Sequence, residues 1–130
     1  TRRWAVAAGG ALALASLATV PRAWGAKQDY PAAIEYVERA RGAEDAVVVV
    51  DMTILPYRDH WKLDWLVARD VRALRGIEAA HARTWLVYTF PASLEAIEPA
   101  IWERVRTEYR EAAVFHGTVS GGDVIVTVSG

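Results

Sequence analysis

The densest run of chemically capable side chains lies between Asp51 and Trp65, which also brackets Tyr57, Arg58, Asp59, His60, Trp61 and Asp64. Adjacent Asp59 and His60 could form an acid/base pair. Tyr57, Trp61 and Trp65 offer flat faces that could stack on a sugar or lie at a membrane surface. The segment follows four consecutive valines, Val47–Val50. An α/β sheet places its ligand sites beyond the carboxyl ends of such strands. The competing reading is a surface loop whose aromatics pack back on the domain. No second motif converges on the segment, so the packing reading stands ahead. Tyr57, Asp59, His60, Trp61 and Trp65 are kept beside it as candidate substrate- or membrane-contacting residues, and no residue is nominated as catalytic.

The remaining chemistry-bearing residues point to packing and capping. His60, His81 and His116 show no metal-ligand spacing, and no HExxH occurs. His81 falls at an expected helix end, where it serves the helix dipole. His116 precedes a glycine at a strand end. GxGxxG, P-loop and GxSxG patterns are missing. The glycine-rich Gly117–Gly122 lies between two strands and reads as a turn, because a phosphate cradle needs a helix after the loop. Glu95, Glu98 and Glu103 with Arg104 and Arg106 read as a solvated helix face, and Trp85 and Trp102 as core. No metal and no cofactor is expected. Cysteine is absent, which removes disulfides and thiol chemistry.

The elements that must position these residues divide the chain in two. The formal charge is −1 over 130 residues, yet residues 1–26 carry Arg2, Arg3 and Arg22 and no acid. Residues 27–130 carry the other 12 basic residues and all 16 acids. That balance excludes a nucleic-acid binder working by bulk charge. A hydrophobic content of 53% excludes intrinsic disorder. From Trp4 to Val20 there is no charged residue. This length sits at the lower limit for a membrane-spanning helix, and Trp4 and Trp24 bracket it as interfacial aromatics do. Arg2 and Arg3 would then lie on the cytoplasmic side, with everything after Trp24 outside the cytoplasm. An export signal is the alternative, since Thr1-Arg2-Arg3-Trp4 resembles a twin-arginine start and Ala23-Trp24-Gly25 offers a cleavage point. A buried soluble-core helix fits least, because it would rarely lack a polar face for so long. The missing initiator Met suggests a fragment or a processed product.

After Lys27, Asp29 and Pro31 predict a helix start, with Ile34 and Val37 on one face and Gly42 as the stop. Asp45–Asp51 reads as a strand apolar on both faces. Residues 53–64 read as irregular, and Trp65–Ala68 as a short strand. Asp70 caps a helix through about Ala82. Thr84–Phe90 is the next strand, ended by Pro91. Ser93 is the expected cap of a helical stretch restarting at Pro99 and continuing to Tyr109. Ala112–His116 and Asp123–Val128 form a closing hairpin. The expected fold is α/β: a small, mostly parallel sheet flanked by helices, with a C-terminal antiparallel hairpin, preceded by one N-terminal transmembrane helix. Residues 1–26 form the membrane segment and residues 27–130 an extracytoplasmic α/β domain.

Taken in order, several short stretches carry a resemblance. The Ala/Leu-rich apolar run leads into Lys27-Gln28-Asp29-Tyr30 and then AAIEYVERARGAEDAVVVV. Pro56-Tyr57 follows, then RTWLVYT from Arg83 to Thr89 with Pro91, and finally VFHGTVSGGDVIV from Val114 to Val126. Nearly the whole chain resembles the C-terminal end of bacterial glycosyltransferases of the family 39 type. These are multi-pass membrane enzymes of the C superfamily, related to the dolichyl-phosphate-mannose protein mannosyltransferases. The family often has Pro where His116 stands. The resemblance implies sugar transfer from a polyprenyl-phosphate carrier on the outer face of the inner membrane. It also implies a catalytic acid in a loop after the first membrane helix. No residue here matches that motif, so none is carried over. The implied partners are membrane lipid, the rest of a multi-pass enzyme and a lipid-linked sugar, with no nucleic acid. The alternative is an exported or anchored carbohydrate- or lipid-binding module. A free-standing enzyme using Asp59 and His60 ranks last.

Overall fold

The computed structural model describes residues 2–23 and 27–130. Thr1, Trp24 and Gly25, which enter the expected signal start, aromatic bracket and cleavage point, lie outside the described residues. Helix α1 spans Arg2–Ala23, 22 residues. The helix continues past position 21 to Ala23. At 1.5 Å per residue it is about 33 Å long, enough for the roughly 30 Å hydrocarbon core of a bilayer. None of the Arg3–Val20 stretch is buried. A helix of this length and composition can span a membrane or act as a signal sequence.

The remaining elements build a five-stranded sheet in the order β2-β1-β3-β5-β4. Helix α2 (Tyr30–Ala40) precedes β1 (Asp45–Val49), and β2 is Leu66–Val67. Helix α3 (Val71–Ala80), β3 (Arg83–Thr89), α4 (Pro91–Ile97), α5 (Pro99–Glu108), β4 (Tyr109–Phe115) and β5 (Val124–Ser129) follow. Strand β1 pairs in parallel with both β2 and β3, while β5 is antiparallel to both β3 and β4. The pairings thus divide evenly, and the sheet is mixed. Four strands still point one way, because β5 alone is reversed. The hairpin closes one edge as expected, with its second strand turned inward. Burial explains that choice: β5 is buried at Val124, Val126, Thr127 and Val128, whereas β4 exposes Arg110 and Glu111 and makes a suitable edge.

Alternation along the strands fills two layers. Val47, Val49, Trp85, Val87 and the even-numbered β5 valines face α2 and the segment after β1. Val48, Val50, Leu86 and Tyr88 face α3, α4 and α5 through Leu74, Leu94, Ile101 and Val105. Each fully buried Val contributes about 1.5–3 kcal/mol, which is why the Val47–Val50 run lies at the centre of the sheet. Trp85 is buried and Trp102 half-buried against Tyr88. The expected caps form: the Asp29 carboxylate accepts from Ala32 N–H at 3.3 Å, and Asp70 accepts from Ala73 N–H at 2.8 Å.

Four local expectations are corrected. Residues 53–64 are irregular only after His60: Asp51–Thr53 forms a 3-10 turn and Leu55–His60 a π-helical turn, while residues 61–64 are irregular as expected. Ser93 caps nothing. Helix α4 starts earlier, at Pro91, with Phe90 before it in the left-handed region. Tyr109 opens β4 instead of extending a helix, because α5 stops at Glu108. Arg104 leaves the solvated face. Its guanidinium meets Glu78 of α3 at 2.6 Å, and the Tyr109 hydroxyl donates to the same carboxylate at 2.7 Å. Burial and the Glu78 carboxylate hold the Tyr109 phenol well above its usual range, so it remains a donor. This trio braces α3, α5 and β4.

Candidate functional site

The strand order 2-1-3 makes the β1/β3 boundary the point where connections leave in opposite directions. Open α/β sheets hold ligands just outside the carboxyl ends of the strands at such a point. Here both strands end abruptly. Thr53 is buried, with its Oγ1 2.7 Å from the Val50 carbonyl oxygen and 2.9 Å from that of Val87. That hydroxyl fastens the turn after β1 to β3 and forces a sharp bend. Asp51 takes φ 47° and Phe90, just beyond β3, takes φ 49°. Each is strained in a region that non-glycine residues avoid, and such strain collects at functional sites. Ser93 Oγ donates to the Asp51 carboxylate at 2.9 Å, joining α4 to the end of β1. Phe90 N–H donates to the Gly121 carbonyl at 3.2 Å, joining the β4–β5 loop to the end of β3.

Between these parts lies an open cavity of about 560 Å³ lined by Met52, Phe90, Pro91, Ala92, Ser93, Ser120 and Gly121. Its lining is apolar except for the two hydroxyls. A more polar depression of about 390 Å³ lies on the other side of Asp51, bordered by Leu55, Arg58, Asp59 and Arg69. An apolar chain or ring face suits the first, and a small polar or charged group the second. Among the described residues, no group of three or more His, Asp or Glu side chains could hold a metal ion.

The five residues nominated by type and spacing are divided by the structure. Tyr57 and Trp65 are fully buried, which corrects their expected contact with sugar or membrane. The π-helical turn aims Tyr57 inward, where its ring lies 4.8 Å from Trp65 and 5.1 Å from Tyr30. Its hydroxyl donates to the Tyr30 carbonyl at 3.1 Å. Burial first, then the neighbouring Tyr30 and Asp29, push the phenol far above its normal range. The Trp65 indole N–H donates to Glu38 at 2.7 Å. Both are core because α2 needs an apolar surface to dock against. Asp59 and His60 are exposed, and no hydrogen bond joins them among the described residues. Neighbouring positions on a helical turn point in different directions, so sequence adjacency does not make an acid/base pair. The His60 ring instead meets the edge of Trp61 at 4.6 Å. Trp61 is 36% exposed and leans on Tyr30 at 5.8 Å.

The parts that sequence reasoning missed are Met52, Phe90 and the Asp51–Ser93 link. The available signal was Pro91 directly after a buried strand, which ends the strand there without specifying the left-handed Phe90. The two remaining histidines behave as expected of end-of-element residues. His81 Nδ1 lies 2.8 Å from the Ile77 carbonyl at the end of α3. His116 Nδ1 lies 3.1 Å from Asp123 Oδ2 across the hairpin. Asp123 is held below the usual carboxylate range by the Gly117 N–H and then by His116.

No family model, curated protein or solved structure matches this chain.

Proposed function

We propose that this chain is the C-terminal membrane helix and extracytoplasmic α/β domain of a polyprenyl-phosphate-sugar-dependent glycosyltransferase, not catalytic alone. The observation that carries the reading is the way the domain meets its apolar helix. Only residues 24–26 separate α1 from Lys27. The Lys27 carbonyl then packs so close to Gly117 that a Cβ there would collide with it. Gly117 belongs to the loop that also forms one wall of the apolar cavity through Ser120 and Gly121. The candidate cavity therefore lies beside the segment that follows α1, which supports a domain that would cover or shape a lipid-linked substrate site. The VFHGTVSGGDVIV stretch that carries part of the family resemblance forms this same loop and its strands. Arg2 and Arg3 at the start of α1 favour an inner-membrane helix with the domain outside the cytoplasm. The partners are then membrane lipid, the membrane-embedded remainder of the enzyme and the lipid-linked sugar.

The test is the coding sequence upstream of Thr1, together with transfer of labelled sugar from a polyprenyl phosphate by membranes holding the full-length protein. We expect a series of further apolar spans and an acidic residue in the first exported loop. Deleting residues 27–130 should abolish transfer. An initiator Met immediately before Thr1 would overturn the reading. It would leave an exported binding module, which the exposed Trp61 beside Tyr30 would serve.

A further inference from the structure

Outside α1, the described residues include six large apolar side chains that are exposed: Met52, Leu55, Trp61, Leu66, Ile97 and Val119. Leu66 lies on the edge strand β2. The other five gather at one end of the sheet. Met52 lines the cavity beyond β1 and β3. Leu55 and Ile97 flank depressions that share Asp51 and Ile54, also beyond β1. Val119 is in the β4–β5 loop. Trp61 rests on Tyr30, the first residue of α2.

That end is also where the chain arrives from α1. Four steps along the backbone separate Ala23 from Lys27, a reach of at most about 14 Å. If α1 spans a bilayer, its end lies at the hydrocarbon boundary, and the polar zone beyond is roughly 5–8 Å deep on each side. Lys27 is then confined to that zone or just outside it. The loop packed against it, whose Gly122 would bring a Cβ 3.2 Å from the Lys27 carbonyl oxygen, is confined with it. Such a short connector holds one end of the domain near the lipid. Burying an exposed apolar cluster in the interfacial region is favourable in proportion to its area. The opposite end of the sheet, at Gly42–Glu44, is exposed and offers no apolar side chain larger than Ala43.

We infer that the carboxyl end of the sheet is seated on the bilayer surface, with Met52, Leu55, Trp61, Ile97 and Val119 in contact with lipid. The inference rests on the membrane-spanning part of the function proposed above, not on its sugar chemistry. It makes the apolar cavity a compartment that opens at the lipid interface. The polar side chains nearest it, Ser93 and Ser120, then lie at headgroup depth.

The chain contains no cysteine, so single cysteines can be introduced and labelled. The full chain, carrying Leu55→Cys, Ile97→Cys or Val119→Cys, is labelled with an environment-sensitive nitrobenzoxadiazole probe. It is then reconstituted in phosphatidylcholine vesicles with or without lipids spin-labelled near the headgroup. Glu44→Cys is the remote control and Leu12→Cys reports insertion of α1. We expect quenching at all three positions severalfold stronger than at Glu44→Cys. Quenching equal to that of Glu44→Cys overturns the inference and leaves the glycosyltransferase reading standing. Blue-shifted but unquenched probes also overturn it, because a second copy of the chain would then cover this end. An unquenched Leu12→Cys probe, with spin labels placed deep in the acyl chains, removes the spanning helix and with it both proposals.

Discussion

Replacing Tyr57 separates a core residue from a binding residue, the two roles its sequence context left open. The side chain is fully buried between Tyr30, Trp61 and Trp65, and its hydroxyl donates to the Tyr30 carbonyl. Tyr57→Ala therefore opens a cavity that α2 and the π-helical turn cannot both close. Large aromatic-to-alanine truncations of this kind cost about 3–5 kcal/mol. Tyr57→Phe removes only the hydrogen bond, about 1 kcal/mol. Asp59→Ala and His60→Ala, both exposed, should stay within about 0.5 kcal/mol of the parent. For a domain of this size 1 kcal/mol shifts Tm by roughly 4–8 °C, so Tyr57→Ala should lower it by at least about 12 °C. Urea unfolding of the full chain in detergent micelles, followed by tryptophan fluorescence, measures all four variants. A loss of less than about 1 kcal/mol for Tyr57→Ala would refute the packing argument. It would return Tyr57 to the surface role suggested by its neighbours in sequence.

Two further predictions follow from the ends of the sheet. Asp45 is drawn up by burial but held net below the usual carboxylate range by the Trp85 indole N–H, the Gly42 N–H and Arg83. Its folded pKa is thus depressed, so its stabilisation is present above the unfolded value of about 3.9 and is lost as pH falls through the folded one. Asp45→Asn should be less stable than the parent at pH 7, and the difference should shrink below about pH 4 in pH-dependent urea unfolding. A difference that does not change with pH would contradict the assignment. At the other end, Gly117→Ala would drive a Cβ into the Lys27 carbonyl. The segment after α1 should be displaced from the loop. Hydrogen exchange should show faster opening around Gly117–Gly122, and unchanged exchange would mean that Lys27 is not held there.

Much of the architecture was legible because it depends on local rules. The charge-free run with its preceding arginines determined an apolar helix. Asp29 and Asp70 determined two helix starts, since a short carboxylate can satisfy the free N–H groups of a first turn. The Val47–Val50 run determined a central strand, and the glycine-rich segment after Phe115 determined a hairpin. Other features needed partners far away in sequence. Whether β5 lies inside or outside β4 depends on which strand can be buried on both faces, and this is decided by the whole sheet. For Tyr57 and Trp65 the packing reading stands only slightly ahead of surface contact until α2 folds over them, and Arg104 reads as a solvated cation until Glu78 and Tyr109 arrive from two other elements. The Asp51–Ser93 link spans 42 residues, and the apolar cavity takes its walls from three separate turns. Hydrophobic period and capping act within a few residues, so one sequence can display them. Burial, side-chain pairing and cavity shape arise only when distant segments meet, so only the tertiary structure could decide them.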